Sequence, residues 1–477
     1  MLSEELIALV QTIRHHKAEQ QTVEVKAAHI NCPKRLYDTL SSFSNQDSGG
    51  ILVFGLDEKQ GFAPVGVYDV QDLQKQVTEQ CNQMEPPVRA VFTIAEVEGA
   101  AICSAEIPGI DFSERPCYYR GAGRIKGSYI RVGDADLPMT DYELYSFEAF
   151  RKHLHDDERP IGRADINLLD STRIQHYLLQ KRLERPGFSQ LTDEQAMEML
   201  NLTRGGIPTL AAVMNFCIYP QGYLPQLAIT AVVVSGQQIG DLDHNGSRFL
   251  DNKRIEGTIP AMVEEAITFC RRNMKTQTII DPQSGKRRDL TEYPIEAIRE
   301  AVLNALIHRD YSHLTEGTPV QINFFSDRLE VHSPGSLYGR MTVEQLGYAR
   351  PDLRNPALAV MTESLAGAEN RYSGIPTIRR EMAAMGLPAP VFENRRNEFV
   401  VTLYNTMSAS TEPAEALSLL EFCAQQPRSR REIADFLGLK TASYAMERHI
   451  VPLLNEGKLA MTTPEKPKST HQKFYTV

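Results

Sequence analysis

No stretch of the 477-residue chain approaches the roughly 20 consecutive apolar residues of a bilayer-crossing helix, so no membrane partner is expected. A basic, apolar leader is also missing. Met1-Leu-Ser-Glu-Glu-Leu-Ile-Ala-Leu-Val10 has acids near its start and apolar residues at helical spacing, and reads as a helix of the mature fold. The seven cysteines are scattered and odd in number, with no Cys-x2-Cys pair, which argues against a zinc site and for free thiols in a reducing cytoplasm. No low-complexity tract is present. Positive charge is in deficit, 51 Lys and Arg against 61 Asp and Glu, a net −10 that favours solubility and repels nucleic acid on average. Binding to DNA or RNA therefore requires a local basic patch. The length suffices for about three or four domains, each with its own core.

The most informative stretch is Glu300-Ala-Val-Leu-Asn304-Ala-Leu-Ile-His308-Arg-Asp310-Tyr311. Ile295, Ile298, Val302 and Leu306 recur at three- and four-residue spacing and predict a helix with one apolar stripe. Glu300, Asn304 and His308 recur every four residues on another side. A solvated polar face is the plain alternative. Against it, Asn is a poor residue inside a helix, and the three together supply a base, a metal-coordinating amide and an imidazole along one edge.

Near the N-terminus, Val23-Glu24-Val25-Lys26 alternates as a strand with an acid and a lysine on one face. A helix is expected from about Pro33 through Phe43. Gly49-Gly50 then turns the chain into a buried strand from Ile51, with Asp57 and Glu58 at its exit. Carboxylates beside a lysine suit a divalent metal that activates water on a phosphodiester. An ordinary solvated ion pair is the competing explanation.

These blocks, with Pro116-Cys-Tyr-Tyr119 and Gly127-Ser-Tyr-Ile-Arg131-Val-Gly133, resemble the Schlafen AlbA-like domain over residues 1–155. The resemblance implies a nucleic-acid-binding α/β domain. In Schlafen nucleases a Glu-x4-Glu-x-Lys motif with a further acid cleaves RNA. Glu19, Glu24 and Lys26 match that motif, and Glu58 or Asp57 would be the further acid. The same segment carries Arg115, Arg120, Arg124, Lys126 and Arg131 among Tyr118, Tyr119 and Tyr129, a mixture that suits phosphate contact and base stacking, unless the tyrosines are simply half-buried strand residues.

From Phe147 to Arg163 the composition turns to charge, with His153, His155, Asp156, Asp157 and Glu158 before Pro160, which reads as a solvated linker. Residues 164–280 carry helices near 191–200 and 259–272 and a strand at 227–234, and read as a structural connector. A hairpin follows the Glu300 helix, with Val320, Ile322 and Phe324 alternating, a turn at Ser326-Asp327-Arg328, then Leu329 and Val331. Ser333-Pro334-Gly335-Ser336 is a tight turn, and Ser373-Gly374 precedes a helix whose free amides suit a phosphate.

Together these blocks resemble the ATPase-like module of the GHKL superfamily, in the divergent form of RecG-helicase-related bacterial regulators, over 285–405. The resemblance implies ATP and Mg2+ as cofactors. Glu300 would polarise water, Asn304 would hold Mg2+, and His308, Gly335, Ser373 and Gly374 would line the nucleotide site. The superfamily's Asp-x-Gly-x-Gly has no counterpart, and the glycine-rich lid is reduced to Ser373-Gly374, which favours binding over turnover.

After a polar linker at 406–413, residues 411–477 resemble a winged helix-turn-helix. Ser429 and Glu432 form a capping-box pattern, and from residue 425 on nine Lys and Arg face five acids. By this resemblance Ser443, Tyr444 and Arg448 would read DNA, Lys466 and Lys468 would lie on the wing, and a homodimer would be compatible with paired half-sites. A protein-docking winged helix is the alternative. The expected fold is multidomain α/β (α+β): Schlafen AlbA-like domain, connector, GHKL-like α/β sandwich and winged helix-turn-helix. The expected function is a DNA-binding transcriptional regulator with a nucleotide-sensing module, with a metal-dependent nuclease or a non-catalytic assembly protein as alternatives.

Overall fold

In the computed structural model of the protein, the described residues are 1–405 apart from 244, 281–286 and 367–372, and, farther on, 419, 423, 427–436, 446, 450–455, 458–462 and 472–476. The N-terminal body is built on four strands. They are ordered Val23–Lys26, Gly50–Phe54, Ala100–Ile107 and Val91–Val97. The first pair is parallel, with Glu24 opposite Leu52, and the other two pairs are antiparallel. Period-two alternation gives the sheet two apolar faces. Leu52 and Phe54 pack with Leu40, Phe43 and Leu73, while Val23, Val25 and Val53 pack with Leu6, Val10 and Ile13. Helices Tyr37–Ser44 and Val70–Asn82 cover one face and Ser3–His16 the other. The helix expected from Pro33 begins at Tyr37, and the Leu36 N–H goes to Gln80 Oε1 at 3.0 Å.

Helix Asp141–Arg151 follows, its start closed by a capping box between Thr140 and Glu143. The segment after it is not the solvated linker its charges suggest. Asp157 is fully buried, and its Oδ2 accepts the Leu358 N–H at 2.8 Å, which supplies a cap to helix Pro356–Ala366. His155 Nδ1 lies 3.0 Å from the Arg354 carbonyl oxygen. These charged residues satisfy backbone groups of a distant element instead of facing water.

The second body holds a six-stranded sheet in the order Asp251–Ile255, Ile229–Val233, Val320–Phe324, Arg328–Pro334, Glu398–Tyr404, Val391–Asn394. Ile229–Val233 runs parallel to Val320–Phe324, and the other pairs are antiparallel. One core extends from Ile161 to Leu403. The boundary expected near residue 280 therefore falls inside a single sheet, to which the connector contributes two strands. Helix Ile295–His308 lies at the centre of this core, against helices Ile259–Asn273, Pro356–Ala366 and Gly374–Ala384 and strand Arg328–Pro334. Among the described residues no helix is long and apolar enough to cross a membrane.

In the C-terminal segment, strands Arg428–Ser429, Lys473–Thr476 and Leu459–Met461 pair in that order. Ser429 N–H donates to Glu432 Oε2 at 2.7 Å and Glu432 N–H to Ser429 Oγ at 3.3 Å, the reciprocal cap ahead of helix Arg430–Phe436. Ser443, Tyr444, Arg448, Lys466 and Lys468 lie outside the described residues.

Candidate functional site

Helix Ile295–His308 contains no Gly or Pro and is rich in Ala, Leu and Ile, so it persists for 14 residues. Its apolar residues are buried on several sides. Glu300, Asn304 and His308 are half-buried, and Asn304 and His308 meet a cavity of about 340 Å3 between the helix and strands Arg328–Pro334 and Glu398–Tyr404. Asn304, His308, Gly335, Arg354 and Gly374 line this cavity, with Val331, Phe399 and Val401 as its apolar wall.

Gly374 opens helix Gly374–Ala384, with Ser373 as its N-cap residue, so it lies in the first helical turn instead of preceding it. A Cβ there would stand 2.7 Å from Asn304 Nδ2 and 2.8 Å from Glu300 Oε2. Only glycine lets this helix start approach the two side chains so closely. Of its first-turn residues only Gly374 and Ile375 offer N–H groups without an intrahelical partner, since Pro376 has none and the Thr377 N–H goes to the Ser373 carbonyl. Asn304 Nδ2 is buried and, among the described residues, has no hydrogen-bond partner, so it can donate to a ligand acceptor.

At another edge, Gly335 adopts φ +103°. A Cβ would lie 2.4 Å from Arg354 Nη1 and 2.6 Å from Asp310 Cβ. Arg354 Nη1 is buried and ion-paired with Asp310 Oδ2 at 3.5 Å, with no hydrogen-bond partner among the described residues, while Nη2 donates to the Ser336 carbonyl at 2.9 Å. Burial and the nearby Arg354 hold the His308 imidazole down to about 4, so it is neutral at physiological pH. Burial, with Glu296, pushes the Glu300 carboxyl above its ordinary value. Burial would raise Asp310 as well, but Arg354 and hydrogen bonds from Ser312 and Thr315 hold it below the usual range. Asp310 and Arg354 were missed as site residues. Their sequence signals are the Arg-Asp-Tyr that ends the Glu300 helix and the Arg-Asn-Pro that opens the next one.

In the N-terminal body, Glu19, Glu24, Lys26 and Glu58 come close enough that the last three all act on the Glu19 carboxyl, pushed up to about 7 by burial first and by Glu24 and Glu58. Glu19 Oε1 accepts the Val25 N–H at 2.8 Å. Asp57 is occupied in capping its own turn, accepting from Lys59 N–H and Gln60, which leaves Glu58 as the exposed acid. Glu24 is buried, with one oxygen paired to Lys26 and the other 2.8 Å from Arg131 Nη2. Among the described residues no group of three or more His, Cys, Asp or Glu is placed to hold a metal ion.

The expected basic surface needs correction at three positions, the first being Arg115, which is buried against Asp47 at 2.5 Å and the Ile110 carbonyl. Arg131 is buried, its guanidinium divided between Glu24 and Asp136, because a strand position between two acids makes it a structural counter-ion. Arg124 is half-buried, held 3.0 Å from Glu148 and 2.9 Å from the Leu144 carbonyl of helix Asp141–Arg151. Arg120 and Lys126 are exposed. Beside them Tyr119 stacks on Tyr37, ring centroids 3.8 Å apart, with exposed Lys34 and Arg35 nearby in sequence.

Residues 19–140 match the family model for Schlafen, AlbA_2. Residues 317–403 match the model described as "Putative ATP-dependent DNA helicase recG C-terminal". The protein is a mixed α/β multidomain chain with a Schlafen AlbA_2 domain. Glu19, Glu24, Lys26, Glu58 and the basic segment fall inside the AlbA_2 match. Gly335, Arg354 and Gly374 fall inside the RecG-related match, and Glu300 and Asn304 lie just before it. Residues 415–476, expected as a winged helix, match instead a model for the C-terminal domain of Fic-like proteins, "Filamentation induced by cAMP protein Fic-like". Among solved structures, the chain is similar to the DIP2311 protein of Corynebacterium diphtheriae (20% identity, 95% of this chain, 93% of that one, TM-score 0.38). It is also similar to the N-terminal domain of a "Putative ATP-dependent DNA Helicase RecG-related Protein" from Nitrosomonas europaea (24% identity, 28% of this chain, 92% of that one, TM-score 0.23). A comparison with curated proteins gives no match.

Proposed function

We propose that the chain is a nucleotide-responsive nucleic-acid-binding protein acting as a transcriptional regulator. The observation that carries this reading is the cavity beside helix Ile295–His308, where among the described residues two buried donors, Asn304 Nδ2 and Arg354 Nη1, the latter ion-paired with Asp310, have no hydrogen-bond partner. Unpaired buried donors are costly, and an oxygen-rich ligand would satisfy both. The helix start at Gly374 adds backbone donors and a favourable dipole for phosphate. The residues fit ATP with Mg2+: the Asn304 amide oxygen would hold the ion, Gly374 and Ser373 would border the phosphates, and the apolar wall would take the base. Mg2+ would supply neutralisation of phosphate charge. Glu300, its pKa raised by burial, would orient water at the same edge.

DNA contact would fall to Arg120, Lys126 and the Tyr37–Tyr119 pair of the AlbA_2 domain, and to a C-terminal winged helix. In fluorescence anisotropy with labelled duplex DNA, ATP and Mg2+ should change the apparent affinity severalfold, and Arg120→Ala with Lys126→Ala should weaken binding and flatten its salt dependence. No DNA binding under any condition overturns the regulator reading.

A second reading, metal-dependent cleavage of RNA or DNA, is favoured by Glu24, Lys26 and Glu58 all acting on the Glu19 carboxyl, although these acids would have to draw closer together to hold a metal. It requires Glu24 to exchange its Arg131 pairing for a metal. Labelled RNA incubated with Mn2+ should then be cut by the wild type and left intact by Glu58→Gln. Absence of cleavage removes this reading.

A further inference from the structure

Helix Asp141–Arg151 touches both the cavity and the basic segment of the AlbA_2 domain. Toward the cavity, the Tyr142 hydroxyl accepts the Ser336 N–H at 3.1 Å, and Phe150 meets the Tyr338 ring at 5.4 Å. Ser336 and Tyr338 both line the cavity. Glu143 of the same helix is buried and holds Arg396 through two bonds of 2.8 and 2.9 Å, and the next residue, Asn397, accepts the Gly335 N–H at 2.8 Å. Toward the other side, Glu148 and the Leu144 carbonyl hold Arg124, as described above. Arg124 belongs to helix Gly123–Gly127, which packs against Tyr118–Tyr119, the strand carrying half of the tyrosine stack.

We propose that this helix links the two sites, so that a ligand in the cavity changes the order and nucleic-acid affinity of segment 118–131. The linkage rests on the reading of the cavity as a nucleotide site. The physical ground is that Ser336, Tyr338 and Gly335 are at once cavity wall and docking surface. A ligand that displaces or stiffens them must act on Tyr142, Phe150 and Glu143, and packed elements move as units. By reciprocity, nucleic acid bound at Arg120 and Lys126 alters affinity in the cavity by the same factor. The relay residue is Glu148, which lines neither site and positions Arg124.

The test uses the full chain with ATP and Mg2+ as probe. Calorimetric titration reports occupancy, and hydrogen–deuterium exchange reports on peptides within 118–131. The wild type should bind ATP and change its exchange rate in 118–131 by about fivefold, within the usual range of coupling between sites. Glu148→Gln removes the charge that pairs with Arg124 and with the exposed Lys152, leaving Arg124 its bond to the Leu144 carbonyl. It should bind ATP with Kd within about twofold of wild type, since Glu148 lies outside the cavity, while the change in 118–131 disappears. ATP binding without any response in 118–131, or an equal response in Glu148→Gln, overturns the linkage and leaves the cavity reading intact. Absence of ATP binding overturns the cavity reading, and the linkage with it.

Discussion

Gly374 lies tight against Asn304 and Glu300, and a single methyl group tests that approach. Gly374→Ala would place a carbon within 2.8 Å of both Asn304 and Glu300, so one side chain must swing away. Since Gly374 has an ordinary helical start, the cost falls on the site more than on the backbone. Nucleotide affinity should drop about tenfold with a melting shift of only a few degrees, read by calorimetric titration and thermal melting. Arg131 makes the opposite case, a stability residue without a site. Arg131→Met leaves buried Glu24 with only Lys26 and takes from half-buried Asp136 its cationic partner, and should destabilise the N-terminal body by about 3 kcal/mol in urea titration. Asp157 gives a pH signature. Burial raises its carboxyl to about 7, so the protonated form is favoured in the folded state, and its contribution is complete at acid pH and lost as pH rises from about 4 through about 7. In Asp157→Asn, which keeps an oxygen for the Leu358 N–H, that part of the pH dependence of the melting temperature should vanish.

At the scale of elements, helix Ile295–His308 is more deeply embedded than its apolar stripe indicates. Ile298, Val302 and Leu306 are buried as their spacing predicts, but Ala297, Ala301, Leu303, Ala305 and Ile307 are buried too, because neighbouring helices close over the sides. Leu306→Ala should therefore cost about 2–5 kcal/mol, measurable by chemical denaturation. Local elements were readable from sequence for local reasons. The hairpin around Ser326-Asp327-Arg328 and the Ser429–Glu432 cap are both carried by spacings of a few residues. The parallel pairing of Ile229–Val233 with Val320–Phe324 joins strands some 90 residues apart in the chain, and no local pattern records it. The same holds for Arg131 and Asp157. A charge reads as solvated until tertiary structure supplies a buried partner. In the candidate site, the edge of Glu300, Asn304 and His308 was legible from four-residue periodicity, whereas Arg354 and Asp310 become neighbours only when the chain returns after residue 350.

For the whole molecule, the two bodies are fastened by charged residues: Glu143 with Arg396, and Asp111 with Arg340 at 3.0 and 3.2 Å. Exposed pairs of this kind contribute little singly, and the buried end of the Glu143 pair carries more. This fastening joins the cavity rim to helix Asp141–Arg151, so a ligand in the cavity and one on the basic segment would act on one assembly. Everything in that account depends on the cavity accepting a nucleotide. The most direct measurement is calorimetric titration of ATP with Mg2+ into the wild type and Asn304→Ala. The wild type should bind one ATP per chain, and Asn304→Ala should bind at least about tenfold more weakly at an unchanged melting temperature. No heat of binding in the wild type, or equal affinity in the two proteins, would contradict it.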